Sequence, residues 1–262
     1  MYEKIKEFLE SDRTDFLDFI ASLKPATTED IFLNSQKRKG FKDDVIQKRF
    51  LENGIYENVA EYDFIAFSFS ILKMFAKDKD LVNLIKTIEK FNQNDFRVKR
   101  LRINLFLNLL YIKSGFFDIN LYRRCSKQMK LSIERLIHFI RVKGYEPISV
   151  GYDAVMAVIP KPEAEEILEF LNKEFDPIKL RLNYYPRVIK FMNIIRLYDE
   201  NGKKTDRLIT FTKPEHEKLK MEILEHLDKG EPDWAIQLIN ANQHLSKRCL
   251  NNYRQIIEDR FL

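Results

Sequence analysis

Aspartates beside strand-like runs are residues of a type that can serve phosphoryl chemistry, and two are candidates here. Asp63 lies in a run rich in aromatic and β-branched residues, Val59 to Ile71, and Asp153 belongs to Gly151-Tyr152-Asp153 at the centre of an alternating segment from Ile148 to Ile159. Carboxylates brought together can share two hard divalent cations about 4 Å apart and so stabilise the attacking and leaving oxygens of phosphoryl transfer. Taken alone, two aspartates beside strand ends read first as ordinary polar residues at turns. Other chemistries lack their signatures. There is no P-loop and no dinucleotide fingerprint, and His138, His216, His226 and His244 show no pair at metal-ligand spacing. Cys125 and Cys249 are too few for a disulfide framework, lack zinc spacing and read as packing residues of a reducing interior. His138 falls in an otherwise apolar helix and reads as a core or boundary residue, and Trp234 as a core anchor between helices.

These residues need elements to hold them. Apolar residues at Ile5, Phe8, Leu9, Phe16, Phe19 and Ile20 predict two short helices before Lys24-Pro25, followed by a basic loop, Gln36 to Gly40. The run from Val59 reads as a strand turning into a helix. Helical patterns over Ile71 to Lys90 and Phe96 to Leu110, joined by Asn92-Gln93-Asn94-Asp95, make a helical hairpin. A helix from about Leu121 to Lys143 stops at Gly144, and Ile148 to Ile159 reads as a β-hairpin. Pro162 to Glu165 opens a helix reaching Phe175. Leu180 to Tyr185, Val188 to Tyr198 and Arg207 to Phe211 read as strands, with a turn at Asn201-Gly202. Three helices follow, at about 214 to 229, 232 to 241 and 245 to 260. Strands interleaved with helices and a helical end give an α+β protein with a mainly antiparallel sheet and a C-terminal helical subdomain.

Composition sets outer limits. The 262 residues are 45% hydrophobic, enough to bury a sizeable core in one large domain or two small ones. Forty-five basic residues against 40 acidic leave a formal +5, with a pI near 8.9, a mildly basic balance that permits a nucleic-acid partner without demanding one. The first ten residues alternate charged with apolar side chains, unlike a signal peptide, and nothing approaches the roughly 20 apolar residues of a membrane span. The expectation is an intracellular protein away from membranes.

Four segments, in order, resemble family B DNA polymerases of the archaeal type. Gly54-Ile55-Tyr56-Glu57-Asn58, a short strand, and Asp63 to Ile71 are similar to motif A, commonly G-L-Y-E-N followed by D-F-x-S-L-Y-P-S-I. Asn104 to Tyr111 falls where the fingers helix carries K-x-x-x-N-S-x-Y-G, with Asn108 and Tyr111 matching. Gly151-Tyr152-Asp153 takes the place of the D-T-D hairpin of motif C, and Ile159-Pro160 with a helix follows it. Gln243-His244-Leu245-Ser246-Lys247 with Leu250 and Tyr253 resembles the thumb's K-x-L-S-K-x-L-x-x-Y. The likeness covers about residues 31 to 262.

The resemblance implies a palm over 54 to 211 with shortened fingers inserted at about 72 to 110, a helical thumb over 212 to 262, and N-terminal helices with a basic loop over 1 to 53. It makes Asp63 and Asp153 the catalytic carboxylates and the ligands of Mg²⁺ if the chain is active, and it puts Ser68, Arg102, Asn108 and Tyr111 beside the nucleotide. Lys247, Arg248 and Arg254 become DNA contacts through phosphates, with Lys203, Lys204 and Arg207 at a strand turn as weaker ones.

The departures bear on catalysis. Asn104 replaces the lysine that faces the triphosphate, where an amide cannot stand in for a cation. Arg97, Lys99, Arg100 and Arg102 lie one to two turns upstream as possible compensation or as a solvated face. Gly151 replaces the first carboxylate of motif C, Ser68 the tyrosine that excludes a 2′-hydroxyl, and Met192 to Ile195 the primer-contacting K-K-x-Y. Only about 41 residues separate Asp63 from Asn104. The expected function is therefore a degenerate polymerase-like protein that binds primer-template DNA as an accessory in replication or repair, beside another polypeptide that supplies activity. An active two-metal nucleotidyltransferase, and a structural subunit that keeps the fold as a protein interface, are the alternatives.

Overall fold

A computed structural model describes residues 1–39, 41, 51–209 and 213–262. Among these residues run eleven helices and six strands, and the chain is an α+β protein. Helices α1 (Tyr2–Glu10) and α2 (Phe16–Leu23) form as their apolar spacing predicts. Helix α3 (Thr28–Lys39) is a correction, because Gln36 to Lys39, read as loop, are its last turn, and Gly40 lies outside the described residues. The cause is a reciprocal cap. Thr27 Oγ1 donates to Asp30 Oδ2 at 2.8 Å and accepts from the Asp30 N–H at 3.1 Å. Acids in the first turn and Lys37, Arg38 and Lys39 in the last also complement the helix dipole.

Strand β1 (Gly54–Phe64) then feeds α4 (Phe67–Phe75), as the aromatic run implied. The helix expected to continue to Lys90 breaks instead at Ala76 to Asp78 and restarts as α5 (Lys79–Ile88), because Asp78 caps the new helix by accepting from the Leu81 N–H at 2.9 Å. Asp95 does the same for α6 (Phe96–Asn108), accepting from the N–H groups of Arg97 and Val98 at 2.6 and 3.1 Å. Helix α7 (Ile119–Val142) starts on Asp118 and stops before Gly144, whose φ of +89° suits glycine. Strands β2 (Pro147–Val150) and β3 (Ala154–Val158) make the expected hairpin, and α8 (Lys161–Glu174) follows.

Strand β4 (Leu180–Phe191) runs through Pro186, and β5 (Ile194–Tyr198) pairs with it antiparallel. The single strand read over Val188 to Tyr198 is thus two strands around the turn Met192-Asn193. Met192 takes φ +54°, a conformation usual for glycine or asparagine, and its N–H is held by Asn53 Oδ1 at 2.6 Å. Strand β6 (Lys204–Leu208) closes the set, whereas Thr210 to Thr212, and with them the end of the expected strand, lie outside the described residues. Helices α9 (Pro214–Asp228), α10 (Pro232–Ala241) and α11 (Lys247–Arg260) match the expected helical end, two of them opening on proline.

The chain divides into two compact units. The first comprises Met1–Gln47, Asp63–His138 and Phe170–Arg181. In it α2 and α4 pack on α6, and α1 on α5. Phe8 stacks on Phe19 with ring centroids 3.9 Å apart and meets Phe16 edge-on at 5.0 Å. Arg97 of α6 spans this cluster, lying over the rings of Phe8 and Phe16 and donating to the carbonyls of Phe8 and Arg13 at 2.9 and 2.7 Å.

The second unit comprises Lys48–Tyr62, Phe139–Glu169 and Leu182–Leu262. It holds the six-stranded antiparallel sheet, in the order β2-β3-β1-β4-β5-β6. One face of β4 and β5, with Ile189, Phe191 and Ile194, packs on Leu219, Ile223 and Leu227 of α9, Ile239 of α10, and Leu250, Tyr253 and Ile257 of α11. The other face buries Val59, Met156, Tyr185, Val188, Ile195 and Leu197.

Arg196 of β5 is wholly buried. Its guanidinium meets Asp206 at 2.8 Å, Glu225 at 2.9 Å and Asp228 at 3.3 Å, so β5, β6 and α9 are tied at one cation. Bonding to Asp206 raises its pKa above the ordinary arginine value despite the opposing burial. Removing one member of such a buried set leaves charge without its partner. Arg196→Ala is expected to destabilise the fold by about 3 kcal/mol in urea unfolding, and a loss below about 1 kcal/mol would show the cluster to be peripheral.

Candidate functional site

Asp63 stands at the end of β1, in the first unit, with its side chain 15% exposed. Arg181, at the start of β4, turns its guanidinium onto one oxygen, Nε donating to Asp63 Oδ2 at 2.7 Å and a terminal nitrogen donating to the same atom. Asp153 lies exposed in the turn between β2 and β3, in the second unit. That turn is closed by the Gly151 N–H donating to the Ala154 carbonyl at 2.7 Å. Gly151 has no left-handed φ, and a Cβ there would lie 3.4 Å from the Ala154 oxygen, so steric demand does not require glycine strongly.

A divalent ion at Asp63 would compete with a guanidinium already bound to the carboxylate. Among the described residues, no three His, Cys, Asp or Glu side chains gather in a way that could hold a metal.

Of the residues implied beside a nucleotide, Asn108, Tyr111 and Arg102 have structural partners. Ser68 is partly buried in the first turn of α4. Asn108 is fully buried, its amide donating to the carbonyls of Leu17 at 3.2 Å and Asn104 at 3.3 Å, which fastens α6 to α2. Asn104 itself donates to the Arg100 carbonyl at 2.8 Å. The Tyr111 hydroxyl donates to Asp18, a bond that holds the phenol above its ordinary pKa. Arg102 is half-buried 4.9 Å over the Phe69 ring, and burial lowers its pKa. Of the four cations of this helix, Arg97 and Arg102 are therefore turned into the fold, while Lys99 and Arg100 are exposed.

The cations implied to reach DNA differ in how far they are already spent. Lys247 and Arg248 are both exposed in the first turn of α11, which contains no acidic residue and where Ser246 makes no side-chain cap. Arg254 donates to Asn240. Lys204 is paired with Glu225 at 2.9 Å, while Lys203 beside it is exposed. Arg207 is held on Glu61 at 2.8 Å and on the Tyr185 hydroxyl at 2.7 Å.

Other expectations change within the fold. Trp234 is 56% exposed and lies against His226, so it is no core anchor, and His138 is exposed. Both sit on the outer sides of their helices. Cys125 is buried, which pushes its thiol up to about 12, and Cys249 packs at the edge of the helical core.

Two buried charges carry no sequence signal. Glu61 accepts from Arg207, from Tyr185 Oη at 2.9 Å and from Asn183 at 3.0 Å, a set assembled from three strands. Lys190, on β4 two residues before the Met192-Asn193 turn, is 4% exposed.

No protein-family model matches the chain, and no curated protein matches it. Among solved structures, the family B DNA polymerase from the hyperthermophilic archaeon Pyrobaculum calidifontis is similar at 9% identity and a TM-score of 0.47. The match covers 83% of this chain and 39% of the polymerase chain, so this chain spans about two fifths of that protein's length. The likeness is a distant one of fold.

Burial lowers the Lys190 pKa to about 8, and the nearby Lys220 cation adds to the shift. In the unfolded chain the amine keeps its proton to near pH 10.4. Between these values the unfolded state binds more protons, so stability rises with pH, and below about pH 8 the full cost of the buried charge is present. Lys190→Met is expected to gain about 3 kcal/mol at pH 7, a gain that shrinks as the pH approaches 10. Denaturant unfolding at the two pH values measures it, and a loss of stability at pH 7 would contradict a strained amine.

Proposed function

We propose that this chain is a degenerate polymerase-like module that grips primer-template or similar DNA through its C-terminal helices, as an accessory in replication or repair, with little or no catalysis of its own. The observation that carries the binding half is the first turn of α11. Lys247 and Arg248 project from it into solvent, and no carboxylate in that turn competes for them. Backbone N–H groups at a helix start and two cations on the same turn complement phosphate oxygens without reading bases. Lys203 is a further exposed cation of the unit, whereas Lys204 and Arg254 have partners to give up before they could help.

The weak-catalysis half is supported by charge. At Asp63 an arginine holds the position a metal would need, Asn104 brings no cation, and Gly151 brings no carboxylate. The order of the four motif-like segments supports DNA as the ligand. In the alternative enzyme reading, Asp63 and Asp153 would hold Mg²⁺, which first requires Arg181 to leave.

Fluorescence anisotropy of labelled primer-template duplexes across a salt series tests the grip. Wild type is expected to bind different sequences alike, with log affinity falling linearly against log salt. Lys247→Ala with Arg248→Ala should weaken every complex and reduce the slope by about 0.9 for each phosphate that the variant no longer neutralises. Identical curves for wild type and the double variant would remove α11 from the interface.

A further inference from the structure

We propose that the outer face of α6 is a docking surface for an acidic amphipathic helix of a partner protein. The inference goes beyond DNA binding and uses none of its residues. Helix α6 buries Val98, Leu101, Leu105, Phe106 and Asn108 on its inner side. Its outer side would ordinarily be polar. Instead Phe96 is 70% exposed, Ile103 53% and Leu107 41%.

These three stand at i, i+7 and i+11, and the exposed residues between them, Lys99 and Arg100, stand at i+3 and i+4. All five therefore share one stripe along the helix. Single exposed apolar side chains are commonplace, but large ones aligned on one face mark an interaction surface. The stripe from Phe96 to Leu107 rises about 16 Å, the length of a three-turn helix lying along it.

Charge selects the partner. The helix Phe96–Asn108 has four cations and no acid. Arg97 and Arg102 are occupied inside the unit, which leaves Lys99 and Arg100 to set the sign of the outer face. Arg100 lies 5.2 Å over the Phe16 ring of α2 and 5.7 Å over the Phe96 ring, so its charge is held beside the apolar stripe rather than swept into solvent. Neither Lys99 nor Arg100 forms an ion pair among the described residues. Apolar anchors at helical spacing beside two cations fit a helix with leucines on one face and glutamates at its margins. A nucleic-acid backbone would gain from the cations but nothing from Phe96, Ile103 and Leu107.

Among the described residues, the chain also presents exposed carboxylates on a helix of its own. Helix α8 exposes Glu165, Glu166, Glu169 and Phe170. Pairing of α6 of one copy with α8 of the next would be head-to-tail, and such interfaces propagate unless they close into a ring.

The test uses the full chain and a fluorescein-labelled helical peptide with leucines at i, i+4, i+7 and i+11 and flanking glutamates. A scrambled peptide and one with lysine in place of glutamate are the controls. The acidic helix is expected to bind at least tenfold tighter than either control. Ile103→Ser with Leu107→Ser, both at exposed positions, should lower that affinity at least tenfold while leaving the thermal melt and primer-template binding unchanged. Lys247→Ala with Arg248→Ala should leave peptide binding intact, which separates this surface from the DNA reading. Equal binding of the three peptides, or no effect of the serine substitutions, overturns the proposal. So does loss of DNA binding in the serine variant, which would assign the face to nucleic acid. Concentration-dependent chains in sedimentation velocity that the serine variant disperses would assign it to a second copy and likewise overturn it.

Discussion

Arg196 is a cation from which water is excluded, and the second unit is arranged around answering it. A guanidinium cannot lose its proton to escape burial, so the protein must bring carboxylates to it. Asp206 comes from β6, Glu225 and Asp228 from α9. The ties extend outward, since Lys204 shares Glu225 and the Tyr198 hydroxyl donates to Asp228. This fixes α9 against the sheet face that also carries Ile189, Phe191 and Ile194. Helices α10 and α11 join the same apolar cluster, so the exposed first turn of α11 is presented by a unit with its own core.

The opposite side of the same sheet buries charge differently. Glu61 is satisfied by Arg207, Tyr185 and Asn183, four polar groups closing on one another. Such sets hold register, because shifting a strand by one residue would leave a carboxylate unanswered. Lys190 has no comparable answer, and its lowered pKa expresses that. The sheet thus contains one fully compensated cation, one fully compensated anion and one amine held at a cost.

Elements whose signals are local are legible in the sequence, and those set by distant partners are not. The C-terminal helices, the hairpin around Gly151 and the Asp95 cap follow from spacing and cap chemistry. The Thr27–Asp30 cap is equally local, but the basic cluster after it reads as loop. The turn at Met192-Asn193 has no glycine to announce it and relies on Asn53, far away in the chain. Arg97 and Arg102 read as surface cations because their partners, the Phe8 and Arg13 carbonyls and the Phe69 ring, come from other elements. The bond from Arg181 to Asp63 joins residues 118 apart, and spacing cannot foretell it.

The Asp63–Arg181 pair is where the reading of function turns. An arginine on the carboxylate supplies the positive charge that a metal would supply, but it activates no hydroxyl and holds no triphosphate. Primer extension with Mg²⁺ or Mn²⁺, run with deoxy- and ribonucleotides on wild type, Asp63→Ala and Asp153→Ala, tests this most directly. Wild type is expected to extend a primer very slowly or not at all, no better than either variant. Robust synthesis by wild type that either substitution abolishes would contradict it and make the chain an enzyme.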